Sequence, residues 1–202
     1  TKLLSLLEKD NVLKNKYKIL IKKEIPLQSG MGGGSMNAAN LLNYFYKKKI
    51  INFNELKKYA SKIGSDVILG LNIKPKILYR DGSVKEVANI KKYHILIVKP
   101  AFGCSTKKIY STNRTFSKPE FNKTKKDIIK NVILNGKNDL EKSAFDLYPA
   151  LKRIKNLLNQ NKQANFVRMT GSGSAIIMYF NSNKFAKNAL KIYKRKLKKC
   201  FF

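Results

Sequence analysis

Apolar residues recur with helical spacing near both ends of the chain. Close to the start, a cluster of leucines at positions 3, 4, 6 and 7 predicts a helix with one buried face. Near the end, the run Lys191–Lys199 predicts an amphipathic basic helix with Ile192, Tyr193 and Leu197 on one side. Between these runs the periodicity changes several times, which indicates a mixture of helices and strands.

Other stretches follow the period of a strand. The segment Lys16–Pro26 alternates apolar and charged residues and predicts a half-buried strand. The dipeptide Asp81-Gly82 separates two strand-like runs and predicts a hairpin. Tyr93–Pro100 predicts a buried strand, and Phe166–Phe180 predicts a strand, a glycine turn and a second strand.

Several helices are predicted in the remaining sequence. One covers about 35–48, and a second is capped by Asn54 and stops at Gly64. Later helices are expected at about 127–135, 139–145 and 149–162, after a polar surface loop at 112–126. Strands and helices do not alternate regularly, so we expect an α+β fold with two lobes, divided into residues 1–92 and 93–202.

The charge is strongly one-sided. The 202 residues contain 43 Lys and Arg against 12 Asp and Glu, a formal net charge of +31. Such an excess favours anionic partners, which include nucleic acids, anionic lipids and phosphorylated small molecules. The lysines are spread along the whole chain, however, and this spread favours ordinary solvated faces over one binding patch.

The few cysteines and the single histidine exclude other classes of site. Cys104 and Cys200 lie far apart in the sequence, and with His94 they form neither a zinc pattern nor a histidine-based triad. No apolar stretch reaches the length of a membrane span, and no signal peptide opens the chain. We therefore expect a cytoplasmic protein with no membrane partner.

The most informative stretch is IPLQSGMGGGSMNAANLL, which begins at Ile25. It places a glycine cluster directly before a predicted helix, where unpaired backbone N–H groups and the helix dipole attract phosphate. Glycines let a phosphate reach those amides and allow positive φ. A flexible turn without function is the alternative. The spacing matches neither the Walker A loop nor G-x-G-x-x-G.

This stretch resembles the P-x-x-x-G-[LM]-G-G-G-S motif of the GHMP kinases, a superfamily of small-molecule kinases. The later MTGSGSA (Met169–Ala175) resembles the third motif of the same superfamily, a glycine turn packed against the nucleotide loop. The segments GSDVILGL, VKPAFGCSTKKIYS, NDLEKSAFDLYP and VRMTGSGSA follow in the order of one branch of that superfamily. That branch phosphorylates the 2-hydroxyl of 4-diphosphocytidyl-2-C-methyl-D-erythritol in the non-mevalonate isoprenoid pathway.

The resemblance implies a two-lobed fold, ATP and Mg²⁺ as cofactors, and a monomer or homodimer that binds no nucleic acid. It also assigns roles to residues of this chain. Asp66 takes or orients the proton of the substrate hydroxyl, Thr106 and Tyr110 bind the substrate, with Tyr110 stacking on cytosine, and Ser35 lies near Mg²⁺. The residues implied for ATP are Pro26, Gly30, Met31, Gly32, Gly33, Gly34, Ser35, Asn37, Gly171, Ser172 and Gly173.

Two of these roles compete with simpler interpretations. Asp66 is also placed to cap a helix, and Tyr110 also suits a core position on an amphipathic stretch. The chain departs from the family pattern at Met36, where serine is common, and at Ile68, where proline is usual.

The superfamily's first motif, P-x-K-[IV]-N, has no match in this sequence. We therefore expect an incomplete N-terminal lobe and no kinase activity from these 202 residues alone. The alternative functions are phosphorylation of homoserine, mevalonate or a sugar by another GHMP kinase, and nucleic-acid binding.

Overall fold

The computed structural model describes residues 2–88, 90–118 and 134–202. The chain divides into two compact units, one of Thr1–Glu24 with Gly32–Asn89 and the other of Ile25–Met31 with Ile90–Phe202. The short segment Ile25–Met31 therefore packs with the second unit, although its neighbours in sequence belong to the first.

The first unit is mainly helical. Its helices pack around a core that includes Leu7, Leu42, Phe45 and Tyr59. A small antiparallel hairpin pairs Lys76 with Glu86, as the Asp81-Gly82 dipeptide predicts. The elements are α1 (Lys2–Lys9), α2 (Gly33–Lys47), α3 (Phe53–Ile63), α4 (Ser65–Leu69), β1 (Lys76–Leu78) and β2 (Val84–Glu86).

The cap of α3 lies two residues earlier than the sequence analysis places it. The N-cap is Asn52, whose side chain accepts hydrogen bonds from the N–H groups of Asn54 and Glu55. The Glu55 carboxylate in turn accepts from the Asn52 N–H, which completes a capping box. The predicted end of the helix is confirmed, because Gly64 is its C-cap.

The strand predicted over Lys16–Pro26 is wrong. This segment adopts no regular secondary structure, and Leu20 within it is 95% exposed. An alternating pattern produces a strand only when a neighbouring strand satisfies its backbone. Among the described residues, no strand pairs with this segment.

The second unit is built on an antiparallel sheet in the order β4-β5-β3-β6. The central strand β3 pairs along its length with β5, with Leu96 opposite Met178. The short β6, which the sequence analysis does not predict, pairs with the end of β3. The strands are β3 (His94–Pro100), β4 (Phe166–Met169), β5 (Ile176–Phe180) and β6 (Cys200–Phe201).

Helices pack on this sheet around a core that includes Val98, Leu151, Leu158 and Ile176. The helices are α5 (Thr106–Thr112), α6 (Leu140–Leu147), α7 (Pro149–Asn159) and α8 (Asn183–Lys196). The terminal helix agrees with its prediction at Tyr193, which is buried, but Ile192 is exposed instead of facing the core.

Most of the helix predicted at 127–135, and the later half of the loop predicted at 112–126, lie outside the described residues. Among the helices that the structure describes, none has the length and apolar character to cross a bilayer.

Candidate functional site

The first half of the glycine-rich stretch is bonded to the glycine turn between β4 and β5. The Gln28 carbonyl accepts the N–H groups of Cys104 and Ser174, both at 3.2 Å, and the Ser29 carbonyl accepts the N–H of Ala175 at 3.0 Å. The Gly30 carbonyl accepts the hydroxyl of Thr170 at 3.1 Å. The main-chain carbonyls of residues 28–30 thus bind the glycine turn, and this contact fixes the backbone of the segment relative to the turn.

Gly30 and Gly171 meet so closely that neither position accommodates a side chain. Gly30 has φ +70, and a Cβ on it would lie 2.1 Å from the Thr170 carbonyl oxygen. Gly171 has φ +51, and its Cβ would lie 2.9 Å from the Gly30 carbonyl oxygen. Contacts below 3.0 Å to rigid backbone cannot be relieved by rotating a side chain. Glycine is required at both positions by conformation and by space.

The second half of the stretch opens α2. Its N-cap is Gly32, with φ 67, which offers no side-chain hydrogen bond to the helix. Met36 is the first residue whose N–H bonds back into the helix, to the Gly32 carbonyl at 2.9 Å. The N–H groups of Gly33, Gly34 and Ser35 therefore have no intrahelical acceptor, at the positive end of the helix dipole. This is the arrangement in which proteins bind phosphate.

Two polar side chains, those of Ser35 and Asn37, belong to the first turns of α2. Both residues are half-buried. Met36 packs inside the first unit, since a Cβ on Gly70 would lie 2.7 Å from its Cε atom. The residue that replaces the usual serine therefore serves the packing of α2 on α4.

Asp66 lies in the first turn of α4 and is exposed. The interpretation of Asp66 as a helix cap is wrong, because the N-cap is Gly64 and no side chain caps this helix. No hydrogen bond or ion pair among the described residues engages the Asp66 carboxylate. Its carboxylate is available to a ligand.

Thr106 and Tyr110 both belong to α5, whose N-cap Ser105 accepts the N–H of Lys108. The Thr106 and Ser172 hydroxyls lie 2.8 Å apart, so this helix also contacts the glycine turn. Tyr110 is 55% exposed, which excludes a core position for its ring. The buried residue of this helix is Ile109.

Asn138 and Glu141, to which the sequence alone gives no role, also bind the glycine turn and the end of β4. The Asn138 amide donates to the carbonyls of Met169 and Gly171. A Glu141 oxygen accepts the Met169 N–H at 2.8 Å. The segment NDLEKSAFDLYP carried the signal, since it resembles a family motif, but its spacing alone does not reveal what its polar residues contact.

Known proteins resemble this chain over almost its whole length. The family model of the GHMP kinase N-terminal domain matches residues 1–73, and that of the C-terminal domain matches residues 121–199. A 4-diphosphocytidyl-2-C-methyl-D-erythritol kinase from Pelagibacter ubique is 51% identical over 200 residues, which cover 97% of this chain and 71% of the relative. The kinase of that name from Thermodesulfovibrio yellowstonii is 33% identical over 90% of this chain and is covered to 68%.

The fold agrees with a solved structure. The crystal structure of a 4-(cytidine 5'-diphospho)-2C-methyl-D-erythritol kinase matches 99% of this chain and 75% of its own, with a TM-score of 0.75 at 24% identity. This likeness supports the α+β two-domain fold expected from the sequence. The identity to the bacterial relatives and the matches to the two family models show that the chain belongs to the 4-diphosphocytidyl-2-C-methyl-D-erythritol kinase family of the GHMP kinases.

Proposed function

We propose that the protein phosphorylates the 2-hydroxyl of 4-diphosphocytidyl-2-C-methyl-D-erythritol with ATP, in the non-mevalonate route to isoprenoids. The observation that carries this proposal is the glycine-rich stretch, in which a segment fixed by a glycine turn leads directly into the unpaired amides of α2. The names of the relatives supply the substrate.

The residues present suit the phosphates of ATP. The amides of Gly33, Gly34 and Ser35 supply hydrogen-bond donors, and the absence of side chains on the glycines leaves room for anionic oxygens. Mg²⁺ takes oxygen ligands and keeps several waters, so the Ser35 hydroxyl is a suitable ligand beside phosphate oxygens. The ion supplies neutralisation of the charge that develops during phosphoryl transfer.

Asp66 is the residue that we assign to the substrate hydroxyl. Its exposed carboxylate has no described partner, and it lies in the GSDV segment shared with the family. A carboxylate in this role accepts or orients the hydroxyl proton as the bond to phosphorus forms. Tyr110 on α5 presents an exposed ring on which the cytosine base stacks.

Two substitutions separate these roles in the full-length protein. Asp66→Asn is expected to lower kcat by roughly 10²–10⁴ with little change in KM, because it removes assistance to the proton transfer. Tyr110→Ala is expected to raise KM for the cytidine substrate and to leave KM for ATP unchanged. Steady-state kinetics measures both effects.

Matched variants serve as controls. Asp81→Asn removes the same charge in the β1–β2 hairpin, where an amide oxygen still accepts from Ser83, and should turn over normally. Tyr110→Phe keeps the ring and should keep the low KM. Wild-type turnover by Asp66→Asn contradicts the catalytic assignment. Faster turnover of homoserine, mevalonate or a free sugar contradicts the substrate assignment.

A further inference from the structure

Asn138, two residues before α6 begins, binds the end of β4 and the glycine turn that follows it. The side-chain amide of Asn138 donates to the Met169 carbonyl at 2.9 Å and to the Gly171 carbonyl at 2.8 Å. Its oxygen accepts the N–H of Leu140 at 3.0 Å. Both N–H groups of the amide are therefore bonded, to the carbonyls of Met169 and Gly171, and its oxygen is bonded to the first residue of α6.

Glu141, the second residue of α6, adds a further hydrogen bond to Met169 at the end of β4. It accepts the N–H of Met169, whose carbonyl is already bonded to Asn138. Its other oxygen pairs with Lys155 of α7, and both side chains of this pair are less than one-fifth exposed. The Lys155 ammonium also lies over the Phe145 ring. Two helices thus fix the residue at which β4 passes into the turn.

The turn transmits this placement to Gly30 through contacts within the second unit. Gly171, one of the two residues bonded to Asn138, packs against Gly30 with no space for a Cβ. Thr170, which lies between Met169 and Gly171 in sequence, donates its hydroxyl to the Gly30 carbonyl. A shift of the turn therefore shifts Gly30, which is one of the residues that the family resemblance implies for ATP.

We propose that Asn138 is a positioning residue for ATP binding, which it supports by fixing the turn that fixes Gly30. This inference deepens the proposed function and rests on it. The chemistry requires asparagine, because the two atoms facing Asn138 on the turn are both carbonyl oxygens. Aspartate has the same shape but offers no donor, and it would set a carboxylate against those oxygens.

The test compares Asn138→Asp with Asn52→Asp in the full-length protein. At Asn52 the side-chain oxygen caps α3, and among the described residues the side-chain N–H groups have no acceptor, so aspartate performs the same task there. Both variants add one negative charge. Asn138→Asp is expected to weaken ATP binding roughly tenfold in calorimetry, with a smaller change in the KM of the second substrate, whereas Asn52→Asp binds ATP like the wild type.

The variant Thr170→Val provides a second, independent test of the proposal. It leaves the Asn138 bonds intact and removes only the hydroxyl that reaches Gly30, so it should also weaken ATP binding. Both substitutions interrupt the same series of contacts, from Asn138 through the turn to Gly30. The loss of ATP affinity in the double variant should therefore be smaller than the product of the two single losses. If Asn138→Asp does not fold, the effect of Thr170→Val decides the question.

Three results overturn the inference. The first is wild-type ATP affinity in Asn138→Asp, or in Thr170→Val if Asn138→Asp does not fold. The second is a double variant whose loss of ATP affinity equals the product of the two single losses. The third is an equal loss of affinity for ATP and for the second substrate in Asn138→Asp, together with a lower melting temperature. Failure of the proposed function gives a different signature, namely a wild-type protein that binds ATP but does not phosphorylate the cytidine substrate.

Discussion

At the scale of single residues, glycine is required in this protein for two separable reasons. Gly30 and Gly82 both have positive φ, at +70 and +83. A Cβ on Gly82 would meet nothing within 4 Å, whereas a Cβ on Gly30 would overlap backbone atoms of the glycine turn. Of these two, only Gly30 therefore combines backbone strain with a steric clash.

The difference between Gly30 and Gly82 leads to a prediction for their alanine variants. Gly82→Ala should cost about 1 kcal/mol of stability, the usual penalty of placing alanine in the left-handed region, and should leave ATP affinity unchanged. Gly30→Ala should cost more and should reduce ATP affinity, because the Thr170 carbonyl and the loop must separate. Thermal unfolding and calorimetry measure the two quantities. Equal effects of the two variants would contradict the importance of the contact.

The buried thiol of Cys104 shows how strongly this region excludes water. Cys104 has no exposed surface, and burial raises the pKa of its thiol to about 11. Since the thiolate is the reactive form, Cys104 is an inert packing residue at neutral pH. Its N–H, which bonds to Gln28, matters more to the site than its sulfur.

At the scale of elements, the start of α3 is defined by a side chain that the periodic pattern does not reveal. The start of α3 offers Asn52 and Asn54 within three residues, and either is an acceptable cap by residue type. The structure selects Asn52 because Glu55 lies three residues after it and closes the capping box.

The expected consequence distinguishes the two asparagines. Asn52→Ala should destabilise the protein by about 1 kcal/mol, since it removes the acceptor for two N–H groups at the start of the helix. Asn54→Ala keeps the backbone N–H that bonds to Asn52 and should be close to neutral. Chemical denaturation of both variants gives the comparison. A larger loss in Asn54→Ala would restore the assignment made from sequence.

At the scale of the whole molecule, the net charge of +31 attracts anions in general. The basic residues are distributed along the chain, and most of the described ion pairs are solvent-exposed; the Glu141–Lys155 pair is a mostly buried exception. We expect a diffuse field of this kind to increase the local concentration of ATP and to bind nucleic acid only non-specifically.

This view predicts different salt dependences for two ligands. RNA retention on a filter should fall steeply with salt and be lost near about 150 mM, because counterion release dominates non-specific binding. ATP binding should persist at that salt concentration, since backbone amides and packing also contribute to it. Tight, base-dependent RNA binding at physiological salt would instead support the nucleic-acid interpretation.

The sequence by itself determined the elements whose signals are local. The glycine cluster before α2, the Asp81-Gly82 hairpin and the strand–turn–strand of Phe166–Phe180 each depend on turn chemistry and short-range periodicity. The order of the motifs was sufficient to identify the family, as the relatives and the family models confirm.

Only the tertiary structure decided how distant segments use those elements. Lys16–Pro26 has the pattern of a strand but no pairing strand among the described residues, and strand formation depends on such a partner. The contact between Gly30 and Gly171 joins residues that are 141 positions apart, and Asn138 reaches the same turn across 33 residues. No local pattern encodes which carbonyl a side-chain amide meets, because that choice depends on how the whole second unit packs.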